Sequence, residues 1–292
     1  MKLRDILRLI RPHQWTKNLF IILPLFFNAN IANIHQLILC IYAFAGFSFI
    51  ASAIYCVNDI LDVEEDRLHP EKSGRPLASG SVSLLTARLS GLLLFTGGLS
   101  VLIITRLNTG VIIMTLLYFV MNMAYVFKLK QIAIIDILCI ALGFVLRVLI
   151  GGYAAGVTLS HWIILMTFLL ALFLACSKRR DDVLHYQKKG IIARKNIVRY
   201  NVDFLNAMMI ITATITIISY IMYSVDSSVV TRLNNNYIYT TSLFVLAAIF
   251  RYLQIAMVEE NSGSPTKILL KDRFVQICIA GWILAFAFII YF

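Results

Sequence analysis

The stretch "NDILDVEEDRLHPEKSGRP", residues 58–76, decides how this sequence is interpreted. It holds six acidic and three basic residues within nineteen positions, whereas the chain on either side is almost entirely apolar. If the preceding helix continues through it, Asp59, Asp62 and Asp66 stand at i, i+3 and i+7 and share one helix face. Because grouped like charges repel one another, this spacing predicts a positive partner among the three carboxylates.

A divalent cation is the partner that the sequence favours, because no lysine or arginine occurs between Ile21 and Asp66. Oxygen-only ligands suit Mg²⁺, which usually keeps several waters and shares the phosphate oxygens of a substrate. The residues His69, Lys72 and Arg75 follow directly, and basic side chains beside a metal can hold the outer oxygens of a diphosphate. Acid, metal and base together predict a site for a diphosphate leaving group. The alternative is a solvated loop of mixed charge.

The composition places this segment in a membrane protein. The 292 residues have a mean hydropathy of +0.83, and only 14% of them are charged, against about a quarter in a soluble domain. We therefore predict an all-α polytopic fold with nine transmembrane helices, since a span needs about 17–25 apolar residues. The predicted spans are residues 18–34, 37–57, 84–105, 108–127, 132–152, 161–177, 204–225, 237–257 and 274–292.

The distribution of the basic residues that give the net charge of +11 sets the orientation and does not indicate a nucleic-acid partner. With the N-terminus in the cytoplasm, 23 of the 26 Lys and Arg residues fall on the cytoplasmic side. The positive-inside rule then predicts a cytoplasmic N-terminus and an external C-terminus. The five cysteines lie in or beside apolar runs without CxxC spacing, which is typical of packing residues.

We predict one membrane domain, residues 1–292, with three polar parts. Residues 1–17 form an amphipathic interfacial helix, residues 58–83 an Asp-rich cytoplasmic loop, and residues 178–203 a second, basic cytoplasmic loop. Within the spans, Arg147 and Asp136 are costly in lipid, so each is expected to face a partner helix or a ligand. The apolar faces suit a lipid bilayer, and they leave a homo-oligomer open.

Five motifs in order along the chain carry a family resemblance: "LIRPHQWTKNLFIILPLFF" near the start, "NDILDVEEDRLHPEKSGRPLASG", "LRVLIGGYAAG", "SKRRDD" and "SPTKILLKDR". The second resembles the first Asp-rich motif, NDxxDxxxD, of the UbiA superfamily of intramembrane prenyltransferases. Together they resemble its decaprenyl-phosphate phosphoribosyltransferase branch. Asp182 stands where that branch often has Glu, and the second Asp-rich motif of aromatic prenyltransferases is not clear.

The resemblance implies a nine-helix bundle around a cytoplasm-facing cavity in the cytoplasmic (inner) membrane. It also implies Mg²⁺-dependent transfer of a 5-phosphoribosyl group from phosphoribosyl pyrophosphate to a polyprenyl phosphate, for lipid-linked pentose and cell-envelope glycan synthesis. Two alternatives stay open. One is a UbiA-type aromatic prenyltransferase that uses a prenyl diphosphate, and the other is a transporter whose acids bind a cation.

The roles that we assign are predictions. Asp59, Asp62 and Asp66 would ligate Mg²⁺, and Asn58 would orient the diphosphate or a metal ligand, so Asn58, Asp59 and Asp62 are the predicted catalytic residues. The predicted substrate-binding residues are Lys72 and Arg75 for the diphosphate, Lys17 for a phosphate of either substrate, Tyr125 and Lys128 for the pocket lining, Lys178 and Arg179 for the ribose 5-phosphate, and Asp182 for the ribose hydroxyls or a second metal.

Overall fold

The computed structural model describes residues 3–28, 32–68, 72–189, 195–260 and 265–291, and these residues contain helices and no strand. Seven of the described helices are long and apolar enough to cross a membrane, and a further apolar stretch, Arg273–Ile289, is shorter. The all-α class is confirmed, whereas the count of nine spans is not. Parts of the predicted stretches "HPEKSGRP" and "SPTKILLKDR" lie outside the described residues.

The chain clusters into two compact units. Unit 1 comprises Met1–Leu129 and Val145–Leu159, and unit 2 comprises Lys130–Phe144 and Ser160–Phe292. We describe each unit by itself, and the assignment of residues 1–292 to one domain stays a prediction.

Unit 1 contains six helices and the second half of a seventh, together with the 3₁₀ helix Pro12–Ile21. The helices are α1 (Leu3–Ile10), α2 (Leu23–Phe27), α3 (Ile34–Leu61), α4 (Val63–Leu68), α5 (Leu84–Ile104), α6 (Thr109–Phe127) and α7 (Ile135–Ala155). Three of these helices have an asparagine or serine N-cap, whose side chain accepts a hydrogen bond from a backbone N–H of the first turn and so stabilises the helix start. Asn33 caps α3, Ser83 caps α5 and Asn108 caps α6.

The core of unit 1 depends on a close approach of α3 and α5. A Cβ on Gly98 would lie 2.7 Å from the Gly46 carbonyl oxygen, and a Cβ on Gly46 would lie 2.6 Å from the Leu102 side chain. Only glycine allows this helix distance, and small residues at such contacts are typical of membrane helices. The contact fixes the helix whose C-terminal end carries Asn58 and Asp59.

The first predicted span, residues 18–34, is not one continuous α-helix over the residues that the structure describes. The 3₁₀ helix ends at Ile21, and α2 begins anew at Leu23. Pro24 explains the restart, since proline lacks an N–H donor and is tolerated only in the first turn of a helix. The segment is fastened to α7, where a Cβ on Gly151 would lie 2.0 Å from the Ile21 carbonyl oxygen.

Two predicted boundaries also change. The interfacial helix predicted over residues 1–17 is α-helical only to Ile10, because Arg11 adopts a left-handed backbone (φ 56°) and Pro12 follows it. The acidic segment is more helical than the predicted loop 58–83, since α3 runs to Leu61 and α4 covers Val63–Leu68.

Unit 2 contains the first half of α7 and six further helices. These are α8 (His161–Lys189), α9 (Val202–Val225), α10 (Ser227–Leu233), α11 (Ser242–Met257), α12 (Pro265–Lys271) and α13 (Arg273–Tyr291), with 3₁₀ helices at Lys195–Arg199 and Ile238–Thr241. The loop predicted over residues 178–203 therefore begins as helix, because α8 continues through its charged residues to Lys189.

Buried polar contacts explain why α8 stays helical beyond its apolar part. Arg180 is buried and donates from Nε to Asn206 Oδ1 (2.6 Å) on α9 and from Nη1 to the Ala256 carbonyl oxygen (2.6 Å) on α11. A cation at the last carbonyls of α11 is favourably placed against the helix dipole. These bonds join three helices at the end of unit 2 that carries the charged "SKRRDD" motif.

Candidate functional site

The acidic segment keeps nearly helical geometry across the break between α3 and α4. The Asp62 N–H donates to the Asn58 carbonyl oxygen (3.0 Å), and the Asp66 N–H donates to the Asp62 carbonyl oxygen (2.8 Å). The face expected from the spacing therefore persists. Asp59 and Asp66 are only 1% and 3% exposed, whereas Asp62 is half-buried.

Two arginines neutralise the buried carboxylates. Arg75 Nη1 lies 2.6 Å from Asp66 Oδ2 and 3.4 Å from Asp59 Oδ1. Arg11 Nη2 forms an ion pair with the same Asp59 Oδ1. We call these four residues, Arg11, Asp59, Asp66 and Arg75, the unit 1 cluster. The positive partner that the sequence requires is thus present as two guanidinium groups.

Arg11 is a member that the sequence did not reveal. It is 48 residues from Asp59 along the chain, between α1 and the 3₁₀ helix, and its guanidinium lies 5.1 Å from the centre of the Tyr55 ring. Its position as an Arg–Pro pair directly after a short amphipathic helix is the only local signal. Only the fold brings it to the end of α3.

The residues present fit a hard divalent cation in part. Both buried carboxylates contact one nitrogen, Arg75 Nη1, so a single cation can lie between them. Asp59 Oδ2 is buried and has no hydrogen-bond partner among the described residues, which leaves a carboxylate oxygen available for a ligand. Among the described residues, no group of three His, Cys, Asp or Glu side chains is already arranged around one point. Two protein oxygens with the remaining positions filled by water or phosphate would suit Mg²⁺.

The other predicted residues of unit 1 differ in their exposure. Lys17 and Tyr125 are half-buried, as are Asn58 and Lys72, and Lys128 is exposed. Trp15 Nε1 donates to Ser52 Oγ (3.0 Å) on α3, which fixes the backbone that carries Lys17. Burial, together with the charges of Arg11 and Lys17, lowers the pKa of His13 from its ordinary value of 6.5.

Arg147 is bound within unit 1. It is 5% exposed, and it donates from Nε to Asn18 Oδ1 (3.0 Å) and from Nη2 to the Tyr118 hydroxyl (2.9 Å). Its guanidinium also lies 5.3 Å from the Phe47 ring centre. Asn18 in turn donates to Ser48 Oγ (2.9 Å). The intramembrane arginine therefore fixes the 3₁₀ helix next to Lys17.

Unit 2 contains a second charged group, which we call the unit 2 cluster: Asp136, Arg179, Asp182 and Tyr200. Arg179 donates from Nε to Asp136 Oδ2 (2.6 Å), and its Nη1 pairs with Asp182 Oδ2. The Tyr200 hydroxyl donates to Asp136 Oδ1 (2.7 Å) and accepts from the Ile134 N–H (2.6 Å). Burial raises the pKa of Tyr200 from its ordinary value of 10, so its hydroxyl stays protonated as a donor.

This arrangement bears on the predicted role of Arg179. The arginine is 1% exposed and lies between two carboxylates, whereas its neighbour Lys178 is exposed and Asp182 is 19% exposed. Because the Arg179 guanidinium is already paired with two carboxylates, it is better placed to orient Asp182 than to bind a phosphate. Asp136, the acid within a predicted span, has Arg179 and Tyr200 as its partners.

Comparison with known proteins adds the family. The model of the UbiA prenyltransferase family matches residues 18–277. The chain belongs to this family. As a UbiA family member it is an enzyme of the transferase class, and its apolar helices make it a multi-pass membrane protein. The resemblance drawn from the Asp-rich motif is confirmed.

This UbiA family member is similar over nearly its whole length to proteins named decaprenyl-phosphate phosphoribosyltransferase. It is 32% identical to that of Corynebacterium glutamicum, over 98% of this chain and 86% of the relative. It is 31% identical to that of Mycolicibacterium smegmatis, over 98% of this chain and 92% of the relative. A UbiA homologue from Archaeoglobus fulgidus, solved with GPP and Mg²⁺ bound, has the same fold, with a TM-score of 0.70 at 21% identity over 99% of this chain and 100% of that one.

Proposed function

We propose that this enzyme transfers the 5-phosphoribosyl group of phosphoribosyl pyrophosphate to a polyprenyl phosphate of decaprenyl type, with Mg²⁺ as cofactor. The bond between ribose C1 and the diphosphate oxygen breaks, and an acceptor phosphate oxygen forms the new bond to C1. Diphosphate leaves with the electron pair. The observation that carries the proposal is the pair of buried carboxylates on one cation, with a free Asp59 oxygen, in a chain similar to enzymes named for this transfer.

The acidic residues of unit 1 would bind the metal, and the basic residues would bind the diphosphate that leaves. Asp59 and Asp66 would hold Mg²⁺, with Asp62 as a further ligand directly or through water. When bound, the metal neutralises the charge that develops on the leaving group. Lys72 and Arg75 would hold the outer diphosphate oxygens, since charge-assisted hydrogen bonds are stronger than neutral ones. Asn58 would orient the diphosphate from the last turn of α3.

The acceptor needs electrostatic help more than a general base. A phosphate monoester is already ionised near neutral pH, so the main barrier is the approach of two anions. Lys17 would bind a phosphate of the acceptor or of the donor. Tyr125 and Lys128 keep their predicted place in the pocket lining.

For unit 2, we keep Lys178 as the ligand of the ribose 5-phosphate and Asp182 as the contact of the ribose hydroxyls or a second metal. Arg179 would act by positioning Asp182, which it contacts. The proposed setting is the cytoplasmic membrane with a cytoplasmic N-terminus and site, and the proposed pathway role is lipid-linked pentose and cell-envelope glycan synthesis. A homo-oligomer remains a prediction.

One alternative keeps an observation in its favour. The Archaeoglobus fulgidus homologue has GPP bound, so a prenyl diphosphate is the competing donor, with an aromatic acceptor. Membership in a transferase family argues against the transporter alternative.

The test compares the two donors on purified protein in lipid nanodiscs. Phosphoribosyl pyrophosphate with decaprenyl phosphate, and geranyl diphosphate with 4-hydroxybenzoate, are each supplied with Mg²⁺ or with EDTA, and lipid products are measured by mass spectrometry. We expect phosphoribosyl decaprenyl phosphate in the first reaction only, and its loss with EDTA. Prenylated hydroxybenzoate in place of that product would replace the proposal by the alternative.

A further inference from the structure

We propose that Arg11 is the resident counter-cation of Asp59 in the metal-free enzyme and that a divalent metal ion displaces it. The proposal rests on the metal site of the proposed function. Its starting point is an asymmetry in exposure: the Arg11 side chain is 18% exposed, whereas Asp59 is 1% exposed. The anion is fixed inside the protein, and the cation can leave toward solvent.

Arg11 is bound to Asp59 more closely than Arg75 is. Arg75 Nη1 lies 2.6 Å from Asp66 and only 3.4 Å from Asp59, so its stronger contact is with Asp66. Arg11 pairs directly with Asp59 Oδ1. Of the two guanidiniums, Arg11 therefore supplies most of the positive charge that a buried Asp59 needs.

The backbone holds Arg11 in this position. Leu9, two residues earlier, is fully buried in a cluster with Cys56, Leu77 and Ala87. Arg11 itself takes a left-handed conformation, φ 56° and ψ 57°, which is unfavourable for a non-glycine residue. Anchored packing on one side and Pro12 on the other maintain this conformation and direct the side chain to the end of α3.

A metal ion and the Arg11 guanidinium compete for the same carboxylate. A divalent ion that used both Asp59 oxygens would meet the guanidinium on Oδ1 and repel it, because like charges at such distances in a partly buried site interact strongly. The ion pair therefore lowers the apparent metal affinity. In return, it spares the metal-free protein an uncompensated buried charge, which is strongly destabilising.

Displacement leaves Arg11 in a useful place. Its guanidinium already lies 5.1 Å from the Tyr55 ring centre, and a cation is favourable over an aromatic face. Tyr55 is one helical turn before Asp59 on α3, so the released side chain stays beside the metal ligand. There it can contact an anion that arrives with the metal. Metal binding and diphosphate binding would then favour each other reciprocally.

The test measures Mn²⁺ binding by electron paramagnetic resonance on the full chain, without donor or acceptor. We expect the Arg11→Gln variant to bind Mn²⁺ at least about fivefold more tightly than the wild type. Without metal, the variant should have a lower apparent melting temperature than the wild type. Adding Mn²⁺ should restore the melting temperature. The matched control is Arg8→Gln, which removes the same charge from the exposed side of α1 and should change neither value. Unchanged or weaker Mn²⁺ binding in Arg11→Gln would overturn the proposal.

A second measurement uses the wild-type protein, so it does not depend on the variant folding. Phenylglyoxal modifies accessible arginines, and mass spectrometry reports the rate at each position. Mn²⁺ should increase modification of Arg11 and leave Arg8 unchanged; a decrease or no change at Arg11 contradicts displacement. If the wild type binds no Mn²⁺ and Asp59→Asn behaves as the wild type does, the metal site of the proposed function fails. If Asp59→Asn abolishes binding but Arg11→Gln does not tighten it, only the role of Arg11 fails.

Discussion

The two charged clusters use the same groups in opposite ways. In the unit 1 cluster the carboxylates are buried, and the arginine side chains are 18% and 27% exposed. In the unit 2 cluster the arginine is 1% exposed, and of its two carboxylates Asp136 is fully buried and Asp182 is 19% exposed. The first cluster has cations that can be exchanged around fixed acids. The second has a fixed cation that holds one accessible acid.

This difference separates a cluster whose cations can be exchanged from a cluster whose cation is fixed. A cation that reaches solvent can be replaced by a metal ion at modest cost, and the orphaned Asp59 oxygen marks where the replacement would bind. A buried guanidinium between two carboxylates cannot be exchanged without leaving a buried charge unpaired. We therefore expect substitutions in the unit 1 cluster to affect transfer first, and substitutions of Arg179 or Asp136 in the unit 2 cluster to affect stability first.

Asp59→Asn should reduce phosphoribosyl transfer by about 100-fold or more, the size of loss expected when a group that stabilises developing charge is removed. The measurement is the initial rate of product formation in nanodiscs at saturating Mg²⁺. Glu64→Gln is the matched control, since Glu64 is an exposed acid of the same segment that pairs with Arg67. Equal losses in both variants would show that the segment contributes only its overall negative charge.

Arg179→Gln should destabilise unit 2 by about 3–5 kcal/mol, because it leaves Asp136 buried without its cation. The apparent melting temperature in detergent reports this loss. Lys178→Gln, at an exposed neighbouring position, should change the melting temperature little. The loss of melting temperature in Arg75→Gln should lie between those of Arg179→Gln and Lys178→Gln, because Arg11 still neutralises Asp59. The contrast between the clusters breaks if Arg75→Gln proves the more destabilising of the two arginine substitutions.

Tyr200→Phe should cost about 1–3 kcal/mol, because it removes two hydrogen bonds that each contribute about 0.5–1.5 kcal/mol. The substitution removes the donor to Asp136 and the acceptor of the Ile134 N–H. The measurement is the thermal unfolding of the variant. The control is Tyr237→Phe, because the Tyr237 side chain is exposed. A melting temperature equal to that of the wild type would mean that the hydroxyl does not help to hold Asp136.

Asp272→Asn should have the smallest effect, below about 1 kcal/mol, as for other ion pairs near solvent. The hydrogen bonds from Arg251 lower the pKa of Asp272 from its ordinary value of 3.8. A lowered folded pKa means that the stabilisation is fully present above pH 3.8 and is lost as the pH falls through the folded pKa. The difference in melting temperature between wild type and variant should therefore stay constant from about pH 5 to 8. A difference in melting temperature that grows as the pH falls would contradict the lowered pKa of Asp272.

The sequence predicted those parts of the site that depend on helical spacing. Asp59 and Asp66 share a face because seven residues make about two turns, and the fold keeps that spacing across the break at Asp62. Arg75 lies near enough in the chain to be grouped with them. The all-α class followed equally directly from composition, since a chain with this hydropathy must satisfy its backbone polar groups internally.

The parts that the sequence could not predict depend on partners far along the chain. Arg11 is 48 residues from Asp59, and Asp136 is 43 residues from Arg179. No periodicity relates such positions, so Arg179 was interpreted as a phosphate ligand. The first span was misjudged for a local reason, because hydropathy alone does not register that Pro24 must begin a new helix.

The most direct test of the exchangeable cluster is a crystal structure with Mn²⁺ and an anomalous difference map. We expect a peak between Asp59 and Asp66, with Arg11 and Arg75 moved out of contact with Asp59. A map without a peak in unit 1, with both arginines still on Asp59 at saturating Mn²⁺, would contradict it.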